Sequence, residues 1–330
     1  MEAPRTLQEA VIYFADPENC HAFMVSLRWP DGVVRCPTCN SDKVTYLQNA
    51  RLWKCYGKHD RPKFSLKTGT IFEDSPLSLS KWLPAVWLIV NCRNGVSSHE
   101  LGRTVGVTQK TAWFMLHRIR LAMQDDLTGG NLGGEVEVDE TFIGGKARNM
   151  HKDRKRRVQM HGRNTGGKAI VLGMLERKTE GKAKRIRATV IKDRTRASIA
   201  PEVQSAVEKG STIHSDEHGT QWRMEDYEHN VVNHAEAYVK DNVHTNGLEN
   251  FWSLLKRGIG GTYVSVEPFH LFRYIDEQAF RFNNRLDVDG LKIPDSERFR
   301  TALSQVVGRR LTYEALIGKE AETASEEAAG

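Results

Sequence analysis

The segment CPTC, residues 36 to 39, answered by CYGKH, residues 55 to 59, constrains this chain more than any other stretch of its sequence. Two thiols across a tight turn, then a Cys and a His after fifteen intervening residues, is a spacing with which a small loop-rich unit builds a tetrahedral zinc site. The expected ligands are Cys36, Cys39, Cys55 and His59, with His59 the least regular because the second half reads C-x3-H rather than C-x2-C. Unligated buried cysteines would leave this short segment with little core, whereas a bound metal supplies folding free energy. Four protein ligands leave no open coordination position, so the Zn2+ is expected to be structural. Cys20 and Cys92 read as ordinary buried thiols, and five cysteines so unevenly placed make no disulfide framework.

The clearest break in the chain is TGGNLGG, residues 128–134, where four glycines in seven residues favour neither helix nor packed strand. Before this linker the pattern predicts a helical lead-in over 1–30, a zinc ribbon over 31–75 and a helix-turn-helix region over 76–127. After it comes a mixed α/β pattern over 135–295. Strands are expected in GEVEVDETFIGG, KAIVLGMLER, KRIRATVIK and STIHSD, and helices in ASIAPEVQSAVEKG, around Glu249 and in PFHLFRYIDEQAFRFNNRL. Residues 296–330 add a helical segment and the acidic, alanine-rich KEAETASEEAAG, expected to be a disordered tail. With 39% hydrophobic and 27% charged residues the composition is that of a soluble protein. No apolar run reaches transmembrane length, and Glu2, Asp16 and Glu18 do not fit a signal peptide, so no membrane is implied and the cytoplasm is the expected location.

In SSHELGRTVGVTQKTAWFMLHRIR, residues 97–120, one helix is predicted over Ser98 to Val105, a turn at Gly106, and a second helix from an N-cap at Thr108. Ala112, Leu116 and Ile119 form its packing stripe, which leaves Gln109, Lys110, Thr111, Arg118 and Arg120 for the exposed side. In such a motif the second helix enters the major groove, where Gln and Lys meet base edges and Arg meets phosphates. A plain helical packing unit is the alternative. The charge distribution favours DNA: residues 146–196 hold 18 Lys or Arg against four Asp or Glu, within a chain of net charge +6. A basic stretch of that extent, including Lys155, Arg156 and Arg157, points to a polyanionic partner.

Three acids complete the pattern. In VEVDET, alternation puts Val136 and Val138 on one side and Glu135, Glu137 and Asp139 on the other. TIHSDEHG is a short strand ending at Asp216, and VHTNGLENFWSLLKRG carries Glu249 seven residues ahead of Lys256 on an amphipathic helix. Seven residues bring a helix back to within about 20° of its starting direction, so Glu249 and Lys256 share a stripe, which Asn246 joins. Each taken alone has a bland explanation, as a solvated strand end or an exposed helix face. Together, three carboxylates from two strands and a helix are the oxygen ligands that hard divalent cations require.

These motifs, with FSLKTGTIFEDSPLSLSKW, VEVDETFIGGK, IHSDEHG and HTNGLENFWSLLKRGIGGTY, resemble the DDE transposases of bacterial insertion sequences over roughly residues 20 to 290. The subtype is the one with an N-terminal zinc ribbon, a helix-turn-helix and an RNase H-like catalytic domain. The resemblance implies a multidomain α+β chain: a small zinc ribbon and helical region, followed by an RNase H-like α/β domain whose mixed sheet is flanked by helices. It implies that Asp139, Asp216 and Glu249 bind catalytic Mg2+ or Mn2+, and that Lys256 touches DNA phosphate near the cut end. The third acid is Asn or His in some relatives, which leaves Asn246 beside Glu249 for that role; Glu249 alone has the lysine at the +7 spacing. The implied partners are double-stranded DNA, as transposon ends and target, and a second copy of the chain in a homodimer or higher assembly. An RNase H-like nuclease would use similar acids without strand transfer, and a non-catalytic regulator derived from a transposase would tolerate their loss.

Overall fold

A computed structural model describes residues 4–124, 130–144, 168–179, 181–216, 224–232 and 245–318; the acidic end expected to form a tail lies outside them. The chain divides into two compact units: one comprises residues up to Gln124 together with the chain from Pro294 onward, the other the intervening Asp125–Ile293.

The first unit opens with α1 (Leu7–Ala15), whose N-terminus is fixed by a reciprocal capping box between Thr6 and Glu9, and α2 (Pro17–Arg28), capped by Asp16 with Pro17 in its first turn. Strands β1 (Val44–Leu47), β2 (Leu52–Cys55) and β3 (Lys63–Phe64) form an antiparallel ribbon. Then come α3 (Leu79–Asn91), α4 (Ser98–Val105) and α5 (Gln109–Met123). The turn before α5 is written in the sequence: Gly106 closes α4 at φ 65°, and the Thr108 hydroxyl accepts from the Thr111 N–H to start α5. The C-terminal helices Asp295–Ser304 and Tyr313–Ile317 belong to this same unit. Buried Phe299 contacts the rings of Phe14, Phe23 and Trp87, so a residue near the end of the chain completes a core begun in α1. Cys20 is buried and its thiol pushed up to about 11 by burial, as an inert thiol should be; Cys92 is half-buried rather than buried.

The second unit is a five-stranded sheet of β4 (Glu135–Ile143), β5 (Ala169–Glu176), β6 (Arg185–Ile191), β7 (Thr212–Asp216) and β8 (Glu228–Val232), ordered β6-β5-β4-β7-β8. The first three strands form an antiparallel meander, and β7 and β8 add in parallel. Helix α6 (Arg196–Ala206) covers one face through Ile199 and Val203 against Val136, Val138, Leu172 and Ile213. Helices α7 (Asn246–Arg257) and α8 (Leu271–Asn283) cover the other, burying Leu248, Phe251, Trp252, Leu255 and Ile275 against Val171, Leu175 and Ile186. This mixed sheet between helices is the RNase H-like α/β arrangement expected. Strand β8 adds to the expected set: EHNVV is too short and too polar to announce an edge strand.

Candidate active site and metal centre

The zinc ligands converge. Cys36, Cys39, Cys55 and His59 place their ligand atoms within 4.8 Å of one another, with Cys39 Sγ 3.5 Å from Cys55 Sγ and Cys36 Sγ 3.5 Å from His59 Nε2. A tetrahedron built on Zn–S and Zn–N bonds of about 2.3 and 2.0 Å has edges of roughly 3.5 to 3.8 Å, so the separations fit a zinc ion held by all four. The turn that presents them is tight: Asn40 sits at φ 58° and its N–H bonds the Cys36 carbonyl. The Gly57 N–H donates to Cys55 Sγ at 3.2 Å. Burial pushes the Cys36 thiol up, but the backbone N–H groups of Cys39 and Thr38 together with the thiols of Cys39 and Cys55 outweigh it and bring it to about 7, towards the thiolate a metal needs.

The sheet brings two of the three acids side by side. Glu137 pairs with His214 across the parallel β4–β7 ladder, and Asp139 and Asp216 each lie two residues further along their strands, on the face covered by α7. Asp139 is pushed up to about 6, first by burial and further by the negative charges of Asp216 and Glu140, against the lowering effect of a hydrogen bond from Trp252. That bond runs from Trp252 Nε1 to Asp139 Oδ2 at 2.8 Å. It is possible because Asp139 pairs on β5 with Gly173, where a Cβ would lie 2.7 Å from the Trp252 ring.

Glu249 and Lys256 are exposed on α7. On a regular helix they project about 60° and about 40° from the direction of Trp252, so both flank the side chain that bonds Asp139. Asn246, the first residue of α7, is also exposed. Among the described residues, the zinc ligands are the sole set of three or more His, Cys, Asp or Glu side chains gathered closely enough to hold a metal ion. The all-oxygen donor set of Asp139, Asp216 and Glu249 suits a hard cation, and like charges on neighbouring strands are what a divalent ion would neutralise.

The residues expected to face DNA divide. Gln109 and Lys110 are exposed and Thr111 half-buried; Gln109 Nε2 donates to Ser98 Oγ at 2.8 Å, and Lys110 Nζ lies 4.8 Å over the Tyr313 ring. Arg118 and Arg120 correct the sequence reading, for both are buried, at 6% and 1% exposure. Arg118 donates to the carbonyls of Ile71, Glu73 and Leu311, and the segment leading into the last helix covers the face expected to meet phosphates. Lys155, Arg156 and Arg157 lie outside the described residues. Elsewhere in the basic stretch Arg177 pairs with Glu135 and Glu137, Arg185 with Glu176 and Arg194 with Glu140, while Lys178, Lys182, Lys184, Lys192 and Arg196 are exposed. Among the described residues, no helix is long and apolar enough to cross a membrane.

Sequence reasoning missed Trp252 and Glu137 as parts of this site. Their signals were an aromatic three residues after the acid on α7, and an acid two residues before Asp139 on the same strand face.

Residues 15–57 match the transposase zinc-ribbon domain, and residues 131–283 match the ISXO2-like transposase domain. The chain is also similar to the uncharacterized protein in transposable element ISH50 of Halobacterium salinarum, being 26% identical to it over 300 residues that cover 88% of this chain and 97% of that protein. Both domains are matched in the order in which the fold sets them out, and the chain fits a zinc-ribbon DDE transposase of an insertion sequence.

Proposed function

We propose that this transposase binds the terminal inverted repeats of its own element, cuts the DNA strand to expose a 3′-hydroxyl, and joins that hydroxyl to target DNA without a covalent protein intermediate. The observation that carries the reading is that Asp139 and Asp216 lie close enough to interact on adjacent parallel strands, with Asp139 bonded to α7, the helix that bears Glu249 and Lys256. These three carboxylates would hold Mg2+ or Mn2+, which when bound supplies Lewis acidity and an activated oxygen nucleophile for in-line phosphoryl transfer. Lys256 gives a point charge for a phosphate of the strand being cut, one helical stripe from Glu249. Gln109, Lys110 and Thr111 stand at the start of α5, the end of a recognition helix that meets base edges. The zinc ribbon and the basic residues around Lys155 would hold flanking DNA, and joining two ends requires at least a homodimer.

The test is strand transfer of a pre-cleaved oligonucleotide carrying the element's terminal repeat, in Mg2+, by the intact protein and by Asp216→Asn. Joined product that disappears in Asp216→Asn is expected. Tight binding with no product from either protein would replace this reading by that of a regulator, and cutting without joining by that of a nuclease.

A further inference from the structure

The N-terminus of α7 has no cap of its own. Thr245 stands at the N-cap position and makes no side-chain hydrogen bond there, although a helix start leaves several N–H groups unpaired. The missing acceptor comes from the sheet: Glu137 Oε2 accepts the Leu248 N–H at 3.0 Å. Glu137 is 1% exposed, and its other oxygen accepts from Arg177 Nε at 3.0 Å. Arg177 also donates to Glu135 at 2.8 Å, so the carboxylate is held in one orientation by a charged side chain that is itself anchored. Gly247 closes the joint, since a Cβ there would lie 2.8 Å from Glu137 Oε2.

This contact and the Trp252–Asp139 bond form a matched pair. Glu137 and Asp139 are two residues apart on β4, about 6.6 Å of strand, and Leu248 and Trp252 are four apart on α7, about 6.0 Å of helix. Two points of attachment at matching spacing fix both the rotation of α7 and its position along the strand. A sliding or rolling helix would break one bond or the other. A buried ion pair is seldom the most stabilising filling for a protein interior, and fixing one packing among several is its best-attested use.

We propose that Glu137 is a positioning residue for the phosphoryl-transfer site: clamped by Arg177, it caps α7 at Leu248 and so sets where the next residue, Glu249, stands relative to Asp139 and Asp216. This role rests on the strand-transfer reading above. Glu137 touches neither DNA nor metal in it.

Two substitutions separate positioning from simple stabilisation. Glu137→Gln keeps one acceptor oxygen for the Leu248 N–H on an arm of full length but loses the charge and turns an NH2 donor toward Arg177 Nε; Glu137→Asp keeps the charge and draws the acceptor back by about 1.5 Å, one carbon–carbon bond. Strand transfer of the pre-cleaved oligonucleotide is measured against Mg2+ concentration for both and for the unsubstituted protein, with DNA binding recorded in the absence of Mg2+. Positioning predicts that Glu137→Asp is the more damaged, with at least a tenfold rise in half-saturating Mg2+ and a fall in turnover on the order of 10²-fold, DNA affinity being unchanged. Glu137→Gln should also raise the half-saturating Mg2+, but by less than Glu137→Asp, because the Leu248 N–H keeps an acceptor in place while the Arg177 clamp is lost. If Glu137→Asp does not fold, Gly247→Ala displaces the same joint with the charges intact, and the same rise in Mg2+ requirement is expected of it. An unchanged Mg2+ requirement in the displaced variants Glu137→Asp and Gly247→Ala overturns the positioning role alone. Unsubstituted protein that binds the DNA and joins nothing at any Mg2+ concentration overturns the strand-transfer reading and this role with it.

Discussion

Trp252 donates its indole N–H to Asp139 across the space left by Gly173, tying the helix that carries Glu249 to the strand that carries Asp139. The bond favours the ionised carboxylate, while burial favours the acid form and brings Asp139 up to about 6.

Trp252→Phe keeps most of the ring and removes the donor. Without it Asp139 moves further above its ordinary value, so protons compete with Mg2+ more effectively near pH 6 than at pH 8. The half-saturating Mg2+ for strand transfer should rise about tenfold at pH 6 and much less at pH 8, the effect of losing one charge-assisted hydrogen bond. Equal increases at the two pH values would mean the indole acts through packing alone.

Gly173→Ala places a methyl group where the Trp252 ring lies, 2.7 Å from the built Cβ position. Overpacking of this kind costs about 1–3 kcal/mol. Urea denaturation of the variant should show that loss together with a raised Mg2+ requirement. A variant as stable as its parent would mean that α7 can shift without consequence.

Arg118→Ala and Lys110→Ala should separate stability from DNA binding. Arg118 is buried with three carbonyl partners, and its removal is expected to destabilise the first unit by roughly 3 kcal/mol, with DNA affinity falling only as the protein unfolds. Lys110 is exposed beside Tyr313, so its loss should change stability by no more than about 1 kcal/mol and weaken binding to the terminal repeat. Denaturation and fluorescence anisotropy on the same samples would show the opposite pattern if the first unit presented a different face to DNA.

Zinc should be present at one ion per chain, read by elemental analysis. Cys39→Ser or a strong chelator should release it and unfold the ribbon, because β1–β3 have few buried residues besides Trp53, Phe64 and the ligands themselves. Cys20→Ser and Cys92→Ser should keep the full zinc content. Loss of zinc from either would mean the ligand set is misassigned.

Charge reversal at Lys155, Arg156 and Arg157 should lower DNA affinity and reduce the slope of log affinity against log salt, by about 0.9 for each phosphate that is no longer neutralised. An unchanged slope would remove these residues from the DNA interface.

Features governed by local rules were legible in the sequence. The cysteine spacing, the Gly106–Thr108 turn and the alternation of VEVDET each depend on residues close together in the chain, and the elements formed where those residues stand. Arg118 and Arg120 were misread because a helix seen alone exposes any polar residue off its apolar stripe. What covers Arg118 arrives some 190 residues later, when the Leu311 carbonyl reaches it, and no local periodicity carries that information. Glu137 was placed on the correct face but taken as one acid among three; its pairing with Arg177 and Leu248 depends on β5 and α7 meeting over β4.

Phe299 and the Leu311 carbonyl, which complete the first unit, come after the whole of the second unit in the chain. During synthesis the helical unit therefore waits, with Phe14, Phe23 and Trp87 short of a partner, until nearly all of the protein has left the ribosome. A premature stop codon anywhere in the sheet would remove both together. As an insertion sequence decays, truncation of this gene within the sheet would therefore not leave behind a well-folded helical unit.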